Sequence, residues 1–172
     1  MTEYPDEPVT NLPTPPRGFT DQKGRQITLR QADDDVEALV DMYLDFHPED
    51  RAQGIPPTKE EDVREWLSVV MQTEGLNLIA WHEDSAVGHV MLVFDEEGAY
   101  ELAIFVLQEY QGAGIGTELL GTALGGAATQ GVERVWLSVE RWNRPAVSLY
   151  KKIGFESCGD DRFEKMMKLR LD

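Results

Sequence analysis

Cysteine, histidine and lysine are scarce in this chain, and long apolar runs are missing. The single cysteine, Cys158, excludes an internal disulfide and is typical of a protein in a reducing compartment. No apolar run approaches the roughly 18 residues that a membrane span requires. The first residues have neither the basic nor the apolar block of a signal peptide. We therefore expect a cytoplasmic protein, and we predict no metal site.

Basic residues are few relative to acidic ones. The chain has 16 lysines and arginines against 32 aspartates and glutamates, so its net charge is −16, and only six of the bases are lysine. This balance opposes binding to nucleic acid or to an anionic membrane. Acidic residues in every segment favour a halophilic origin, because concentrated salt screens their mutual repulsion. An ordinary acidic protein is the alternative.

The N-terminal part of the chain differs in composition from the rest. Residues 1–25 hold five of the nine prolines and show little apolar periodicity, which predicts a tail or a strap laid over the domain. Hydrophobic residues make up 41% of the 172 residues, as in a globular protein. Residues 26–172 are therefore expected to form one domain with a sizeable core.

Apolar periodicity divides residues 26–172 into alternating elements. A half-buried strand is predicted at 26–32, followed by two amphipathic helices, the second capped by Thr58 with Glu61 completing a capping box. A loop, 47–58, separates those helices. The pattern then predicts strands at 76–82, 86–95 and 100–107, a helix at 116–129, a strand at 132–139, a helix opened by Arg144-Pro145, and a final hairpin of 155–158 with 163–171.

The stretch 99–117 organises the predicted fold. It reads as an apolar strand whose one charged residue is Glu101, then a glycine-rich turn, then a helix, so a central strand covered on both faces is expected. Gly112, Gly114 and Gly116 alternate where the helix begins, which favours outward-facing amides and an anion at the helix N-terminus. A dinucleotide fingerprint fits this spacing poorly. The pyrophosphate loop of an acyl-coenzyme A site and a turn that only caps the helix are the other interpretations.

Two motifs resemble those of the GNAT acyltransferases. The first is Gln111-x-x-Gly114-x-Gly116, and the second runs from Val139 through Asn143-x-x-Ala146 and a helical tyrosine to Gly154-Phe155. The resemblance implies an α/β GNAT fold with a mixed sheet of about seven strands, four helices and the order β-α-α-β-β-β-α-β-α-β-β. Residues 99–112 also resemble Pat-type protein lysine acetyltransferase domains, over about a dozen residues.

The resemblance also implies a cofactor and its contacts. Acetyl-CoA would be held along the central strand by backbone groups of Ile104, Phe105 and Val106. Asn143 would contact the cofactor arm, and Tyr150 would approach the thioester sulfur. The pyrophosphate would lie on amides of Gln111, Gly112, Ala113, Gly114, Ile115, Gly116 and Thr117.

Amide formation needs a base, because an amine with a pKa of about 10 is protonated at neutral pH. Glu101 is the candidate, since a carboxylate in a buried strand should have a raised pKa. A solvated or ion-paired Glu101 is the alternative. Tyr150 is the candidate proton donor to the departing thiolate, with a purely core role as the alternative, and Asn143 has helix capping as its alternative. A backbone N–H of a splayed strand would stabilise the oxyanion.

The predicted function is therefore acetyl-CoA-dependent N-acetylation of a primary amine by direct attack in a ternary complex. A coenzyme A-binding module without turnover, and an acyl donor other than acetyl-CoA, are the competing hypotheses. The acceptor is a small molecule or a protein lysine, and the loop 47–58 is expected either to shape its pocket or to be a plain surface loop. Oligomeric state is open, with a homodimer as one option.

Overall fold

The computed structural model describes residues 4–47, 56–160 and 163–172, which form an α/β structure around one sheet. The helices are α1 (Val36–Leu44), α2 (Glu60–Gln72), α3 (Ile115–Thr129) and α4 (Arg144–Ile153). The strands are β1 (Arg17–Thr20), β2 (Gln26–Gln31), β3 (Gly75–His82), β4 (Ser85–Phe94), β5 (Tyr100–Val106), β6 (Arg134–Glu140), β7 (Glu156–Asp160) and β8 (Glu164–Arg170). The α/β fold expected from the sequence is confirmed.

The strand order in the sheet is β1-β2-β3-β4-β5-β6-β8-β7. Neighbouring strands are antiparallel except β5 and β6, which are parallel and are connected through α3. One parallel pair among antiparallel ones makes the sheet mixed, as the resemblance implied. The last strand, β8, lies between β6 and β7, so β5 is near the middle of the sheet.

The sheet has eight strands among the described residues, one more than predicted. The additional strand, β1, lies within residues 1–25, where the sequence predicts a tail or strap. Its register with β2 runs from Arg17 opposite Leu29 to Thr20 opposite Gln26. Four residues beside a proline-rich stretch are too short a run for a period of two to be recognised. Part of this segment therefore belongs to the sheet.

Helices cover the two faces of the sheet unequally. On one face α3 packs against the side chains of β2 to β6 and β8, in a cluster that includes Leu102 and Leu119. On the other face α1 and α2 form a second cluster around Tyr43, and Phe105 of β5 packs against it. That second cluster includes residues of β3, β4 and β5 but none of the described residues of β6 or β8. One face of the β6–β8 pair is consequently left without a helix.

Helix α2 begins differently from the prediction. The apolar face expected from Val63 and Leu67 is confirmed, because both side chains are fully buried. The predicted cap at Thr58 is wrong: Lys59 precedes the helix and makes no side-chain capping hydrogen bond. Acidic residues 60–62 fill the first turn, where their charges interact favourably with the helix dipole.

The N-terminal segment from Pro5 to Pro16 lies against the domain. The Val9 amide donates to the Arg170 carbonyl at 2.8 Å, and Arg170 Nε donates to the Pro5 carbonyl at 2.7 Å. Farther along, the Pro13 carbonyl oxygen lies only 1.8 Å from the position that a Cβ on Gly125 would occupy. The absence of a side chain at Gly125 therefore allows this segment to lie directly on α3.

Two composition-based expectations concern Cys158 and membrane insertion. Cys158, the single cysteine, is buried, and its Sγ donates to the Met166 carbonyl at 3.5 Å. No helix within residues 4–47, 56–160 or 163–172 combines the length and the apolar character needed to cross a bilayer.

Candidate active site

The parallel strands β5 and β6 pair only at their beginnings. Their ladder consists of Tyr100 opposite Val135 and Glu101 opposite Trp136. Strand β5 nevertheless stays paired with β4 as far as Val106. Its other edge, over residues 102–106, therefore has no ladder partner, and its backbone groups face the opening between the two strands.

A tight turn follows this unpaired edge. Residues Gln108–Tyr110 form a short 3-10 turn, and the amide of Gln111 donates to the Gln108 carbonyl at 3.2 Å. The Gln111 side chain reaches back, and its Nε2 donates to the Val106 carbonyl at 2.9 Å. Because the Gln111 amide already has an acceptor, the amides available to an anion begin at Gly112.

Helix α3 starts with left-handed backbone. Gly114, which precedes its first residue, has φ of +89°, and Gly112 has φ of +74°, conformations that favour glycine. The first amides of an α-helix have no intrahelical acceptor, and the helix dipole is positive at this end. A Cβ on Gly112 would contact nothing within 4 Å, so the turn is open on that side. These amides form a cradle suited to a phosphate group.

The loop between β1 and β2, residues 21–25, packs against this turn. The amide of Gln22 donates to the Ala113 carbonyl at 2.9 Å, and Gln22 Nε2 lies 3.1 Å from the position of a Cβ on Gly114. Arg25 ties the loop together through a 2.7 Å ion pair with Asp21, and its guanidinium lies 4.1 Å from the centre of the Tyr110 ring. Sequence reasoning missed this support, because no motif in 1–25 signals it.

Desolvation raises the pKa of the Asp21 carboxyl, but the amides of Lys23 and Arg25 and the Arg25 guanidinium outweigh it, so the net pKa is lowered.

Glu118 lies in the first turn of α3, where its charge would repel a phosphate. Arg17 of β1 pairs with Glu118 at 2.5 Å and donates to Thr122 Oγ1 at 3.2 Å. This contact places a positive charge beside the one carboxylate of the first turn.

Tyr150 of α4 lies in the same buried cluster as Ile104 and Val106. Its ring meets Phe155 edge to face, with centroids 5.8 Å apart. Burial raises the pKa of Tyr150 to about 12, so the phenol keeps its proton at neutral pH. Asn143 caps the same helix: its Oδ1 accepts from the Ala146 amide at 3.3 Å.

Glu101 is exposed, so the expectation that it lies in a buried part of the strand is wrong. The reason is the incomplete cover of the sheet, since α1 and α2 do not extend over this end of β5. Partial desolvation nevertheless raises the pKa of Glu101, and the charges of Asp95 and Glu164 raise it further. The pKa of the Glu101 carboxyl is therefore raised, as predicted, and desolvation is the largest cause even though the side chain is only partly covered.

The two predicted catalytic residues lie on opposite faces of the sheet. Side chains alternate along a strand, so Glu101 shares the face of Phe105, whereas Tyr150 packs with Leu102 and Ile104 on the other face. The opening between β5 and β6 connects the two faces of the sheet. The site is thus a gap in the sheet, with a carboxyl on one side and a phenol on the other.

The acceptor side of the site is described only in part. Residues 48–55 of the predicted acceptor loop lie outside the described residues. A cavity of about 190 Å³ lies beside the 3-10 turn; it is lined by Asp45, His47, Leu107, Gln108 and Glu109. Within the described ranges, no group of three or more histidine, cysteine or acidic side chains is arranged to hold a metal ion.

Comparisons with known proteins agree with this geometry. Residues 36–155 match the model of the acetyltransferase (GNAT) family. An uncharacterised N-acetyltransferase of Mycobacterium bovis is 36% identical over 87 residues, which are 50% of this chain and 56% of that protein. The chain thus spans about half the length of the first curated relatives that it matches.

Two solved structures share the fold. The GNAT domain of S. lividans PAT superposes with a TM-score of 0.77 at 17% identity, covering 91% of this chain and 97% of that one. The PaiA N-acetyltransferase from Thermoplasma acidophilum, in complex with coenzyme A, has a TM-score of 0.66 at 21% identity, covering 84% and 98%. At these identities the likeness concerns the fold alone.

Proposed function

Because the chain belongs to the acetyltransferase (GNAT) family, we propose that it transfers an acetyl group from acetyl-CoA to a primary amine by direct attack in a ternary complex. The observation that carries the proposal is the separation of β5 from β6 immediately after Glu101 and Trp136. It leaves a backbone edge without a neighbouring strand, and this edge leads directly into an amide cradle at the start of α3.

The cradle fits a diphosphate, and the strand edge fits an extended amide-containing arm. Amides of residues 112–117 would bind the diphosphate, and backbone groups of Ile104, Phe105 and Val106 would bind the arm as an additional strand would. Asn143 keeps its side-chain amide nitrogen for the same arm while Oδ1 caps α4. Bound acetyl-CoA would supply the activated acetyl group. A backbone N–H of the open edge would stabilise negative charge on its carbonyl oxygen.

Glu101 would remove the proton from the acceptor amine, directly or through a water molecule. Its raised pKa supports this role, because a carboxylate of ordinary acidity is a weak base toward an ammonium group. The nearby charges of Asp95 and Glu164 would also attract a cationic acceptor to this face of the sheet. The acceptor would therefore approach on the face that α1 and α2 leave open.

Tyr150 would donate a proton to the departing thiolate. Its pKa of about 12 keeps it protonated, and its place in the cluster with Ile104 and Val106 brings it to the face opposite Glu101. An acid and a base on opposite sides of the gap allow the amine to enter from one face and the thiol to leave from the other. This separation supports direct attack over a covalent enzyme intermediate.

The proposal is tested by thiol release from acetyl-CoA with a panel of primary amines. Glu101→Gln should lower kcat and remove the acidic limb of the pH profile. In the wild type, the midpoint of that limb should lie above pH 4.5, the ordinary pKa of glutamate. Tyr150→Phe should lower kcat with little change in coenzyme A affinity. Coenzyme A binding without transfer to any amine would instead favour a binding module that lacks turnover.

The acceptor, the salt requirement and the oligomeric state of the protein are further parts of the proposal. A protein lysine is a candidate acceptor because residues 99–112 resemble Pat-type domains, and a small-molecule amine is the alternative. The net charge of −16 supports a halophilic origin, and the single cysteine supports a reducing compartment such as the cytoplasm. Thermal unfolding measured in low and molar KCl tests the salt requirement, and an unfolding temperature that does not rise with salt would contradict it. Sedimentation tests the homodimer.

A further inference from the structure

The amide cradle at the start of α3 is held by a segment that lies outside the family match. Residues 36–155 match the acetyltransferase family, whereas the β1–β2 hairpin spans residues 17–31. The hairpin loop, residues 21–25, contacts the turn before α3 through the 2.9 Å hydrogen bond from the Gln22 amide to the Ala113 carbonyl. This contact therefore joins a segment before the matched range to the turn where an anion would bind.

The hydrogen bond to Ala113 fixes the direction of the next amide in the chain. The peptide between Ala113 and Gly114 is trans, so its carbonyl and its N–H point in opposite directions. Since the Ala113 carbonyl points at Gln22, the Gly114 N–H points away from the hairpin. Within the part of the chain that the structure describes, this N–H donates to no acceptor. The Gln22 amide thus directs a free donor toward the side of the turn that the hairpin leaves open.

Arg25, in the same loop, holds the other arm of the turn. Its Nη1 donates to the Glu109 carbonyl at 3.3 Å, and its guanidinium lies 4.1 Å from the centre of the Tyr110 ring. The Tyr110 hydroxyl is in turn hydrogen-bonded to Nδ1 of His82, the last residue of β3, at 2.7 Å. The loop therefore contacts the turn both before and after Gly112 in the chain.

The turn needs such support because its glycines leave the backbone free. Gly112 and Gly114 both have positive φ, and glycine loses more conformational freedom on ordering than any other residue. The Glu118 amide bonds to the Gly114 carbonyl, which fixes the end of the turn but not the peptide between Ala113 and Gly114. A turn that is ordered before its ligand arrives binds that ligand more tightly, because less ordering remains to be done on binding.

We propose that Gln22 is a positioning residue of the coenzyme A site: its backbone amide holds the Ala113 carbonyl, so that the Gly114 amide is directed at the diphosphate before the ligand binds. Arg25 assists by holding the other arm of the turn. This inference rests on the proposed acetyl-CoA-dependent function, and it adds to the site a segment that the family match does not include. Because the contact is a short-range hydrogen bond, its effect should persist in molar salt, where charges are screened within about 3 Å.

The test compares Gln22→Pro with the conservative variant Gln22→Ala in the full chain. Proline has no N–H and removes the bond to Ala113, whereas alanine keeps that bond and removes only the side chain. Titration calorimetry in molar KCl measures the affinities for coenzyme A and for pantetheine, which lacks the diphosphate. Gln22→Pro should lose at least about tenfold in coenzyme A affinity, as expected for one misdirected hydrogen bond to a charged group, and should keep its pantetheine affinity. Gln22→Ala should bind coenzyme A within about threefold of the wild type.

Arg25→Met and Lys23→Met form a second matched pair, because both remove one positive charge from the same loop. Arg25→Met also removes the contacts with Glu109 and Tyr110, whereas Lys23 bonds within the loop through its backbone amide, which the substitution keeps. Arg25→Met should lose about threefold in coenzyme A affinity, the loss expected if the turn keeps its binding geometry for about a third of the time. Lys23→Met should stay within about twofold of the wild type.

Failure of the broader function is distinguishable from failure of this inference. A folded Gln22→Pro protein that binds coenzyme A as tightly as the wild type would overturn the positioning role and leave the proposed function intact. Equal losses for coenzyme A and pantetheine, or equal losses in Gln22→Pro and Gln22→Ala, would also overturn it. If Gln22→Pro does not fold, the second pair decides, and equal affinities of Arg25→Met and Lys23→Met would overturn it. Absence of coenzyme A binding by the folded wild type would contradict the proposed function itself, and this inference with it.

Discussion

The three glycines of the turn before and within α3 look equivalent in the sequence, but the structure predicts different results from replacing them. Gly114 has φ of +89°, and a Cβ there would lie 3.1 Å from Gln22 Nε2. Gly116 is helical, and its Cβ would make an ordinary 3.6 Å contact with Leu149. Gly114→Ala and Gly116→Ala are therefore a matched pair that adds the same methyl group two residues apart.

The expected cost follows from the backbone. An alanine in the left-handed region costs roughly 1–2 kcal/mol, and displacing Gln22 adds to that at Gly114. In a helix, alanine is favoured over glycine by up to about 1 kcal/mol, so Gly116→Ala should be neutral or stabilising. If the turn keeps its shape in Gly114→Ala, the cost reduces the free energy of unfolding. If the turn relaxes instead, the amides change direction, and coenzyme A affinity falls about 5- to 30-fold.

Two assays in molar KCl measure these effects: chemical unfolding measures the loss of stability, and titration calorimetry with coenzyme A measures the loss of affinity. Gly114→Ala should lose stability, affinity or both, whereas Gly116→Ala should bind coenzyme A within about threefold of the wild type, a difference below 1 kcal/mol. A folded Gly114→Ala protein with wild-type stability and affinity would refute the reasoning. Equal losses in the two variants would refute it as well.

Two further predictions concern the core and the N-terminal segment. Burial lowers the pKa of His89 to about 3, while its two ring nitrogens bond to Tyr43 and Asn77 at 2.6 and 2.8 Å. Between pH 6.5 and 3, His89 takes up a proton in the unfolded state but not in the folded state. The free energy of unfolding should therefore fall as the pH drops through this range, by up to about 1.4 kcal/mol per pH unit from this group. His89→Gln should show a shallower fall in chemical unfolding, and an unchanged slope would contradict the prediction. Gly125→Ala should displace the N-terminal segment, because the new Cβ would lie only 1.8 Å from the Pro13 carbonyl oxygen. Limited proteolysis should therefore cut residues 5–16 faster than in the control Gly121→Ala, whose Cβ would lie 3.8 Å from the Ile153 side chain. Equal cleavage rates in the two variants would contradict the prediction.

Most of the fold could be predicted because its elements have strong local signals. The strand at 100–106 is nearly all apolar, the helices have clear apolar faces, and the glycine turn marks where α3 begins. The parallel pairing of β5 with β6 then follows because the intervening helix α3 carries the chain back to the end of the sheet where β5 begins. Features that depend on residues close together in sequence could therefore be predicted.

The missed features depend on contacts between distant parts of the chain. Nothing local shows that Arg17 pairs with Glu118, that Gln22 bonds to Ala113, or that His89 lies against Tyr43. The exposure of Glu101 has the same origin, since an apolar strand does not reveal how far the covering helices extend. The strand β1 was missed because four residues carry too little periodicity.

The central claim is that the amides at the start of α3 bind a diphosphate. Titration calorimetry of the wild-type chain in molar KCl, with coenzyme A, 3′-dephospho-coenzyme A and pantetheine, tests it most directly. We predict similar affinities for the two diphosphate compounds and an affinity for pantetheine at least about 100-fold lower, a difference of 2.7 kcal/mol or more. Pantetheine binding as tightly as coenzyme A, or no coenzyme A binding by folded protein, would contradict the account.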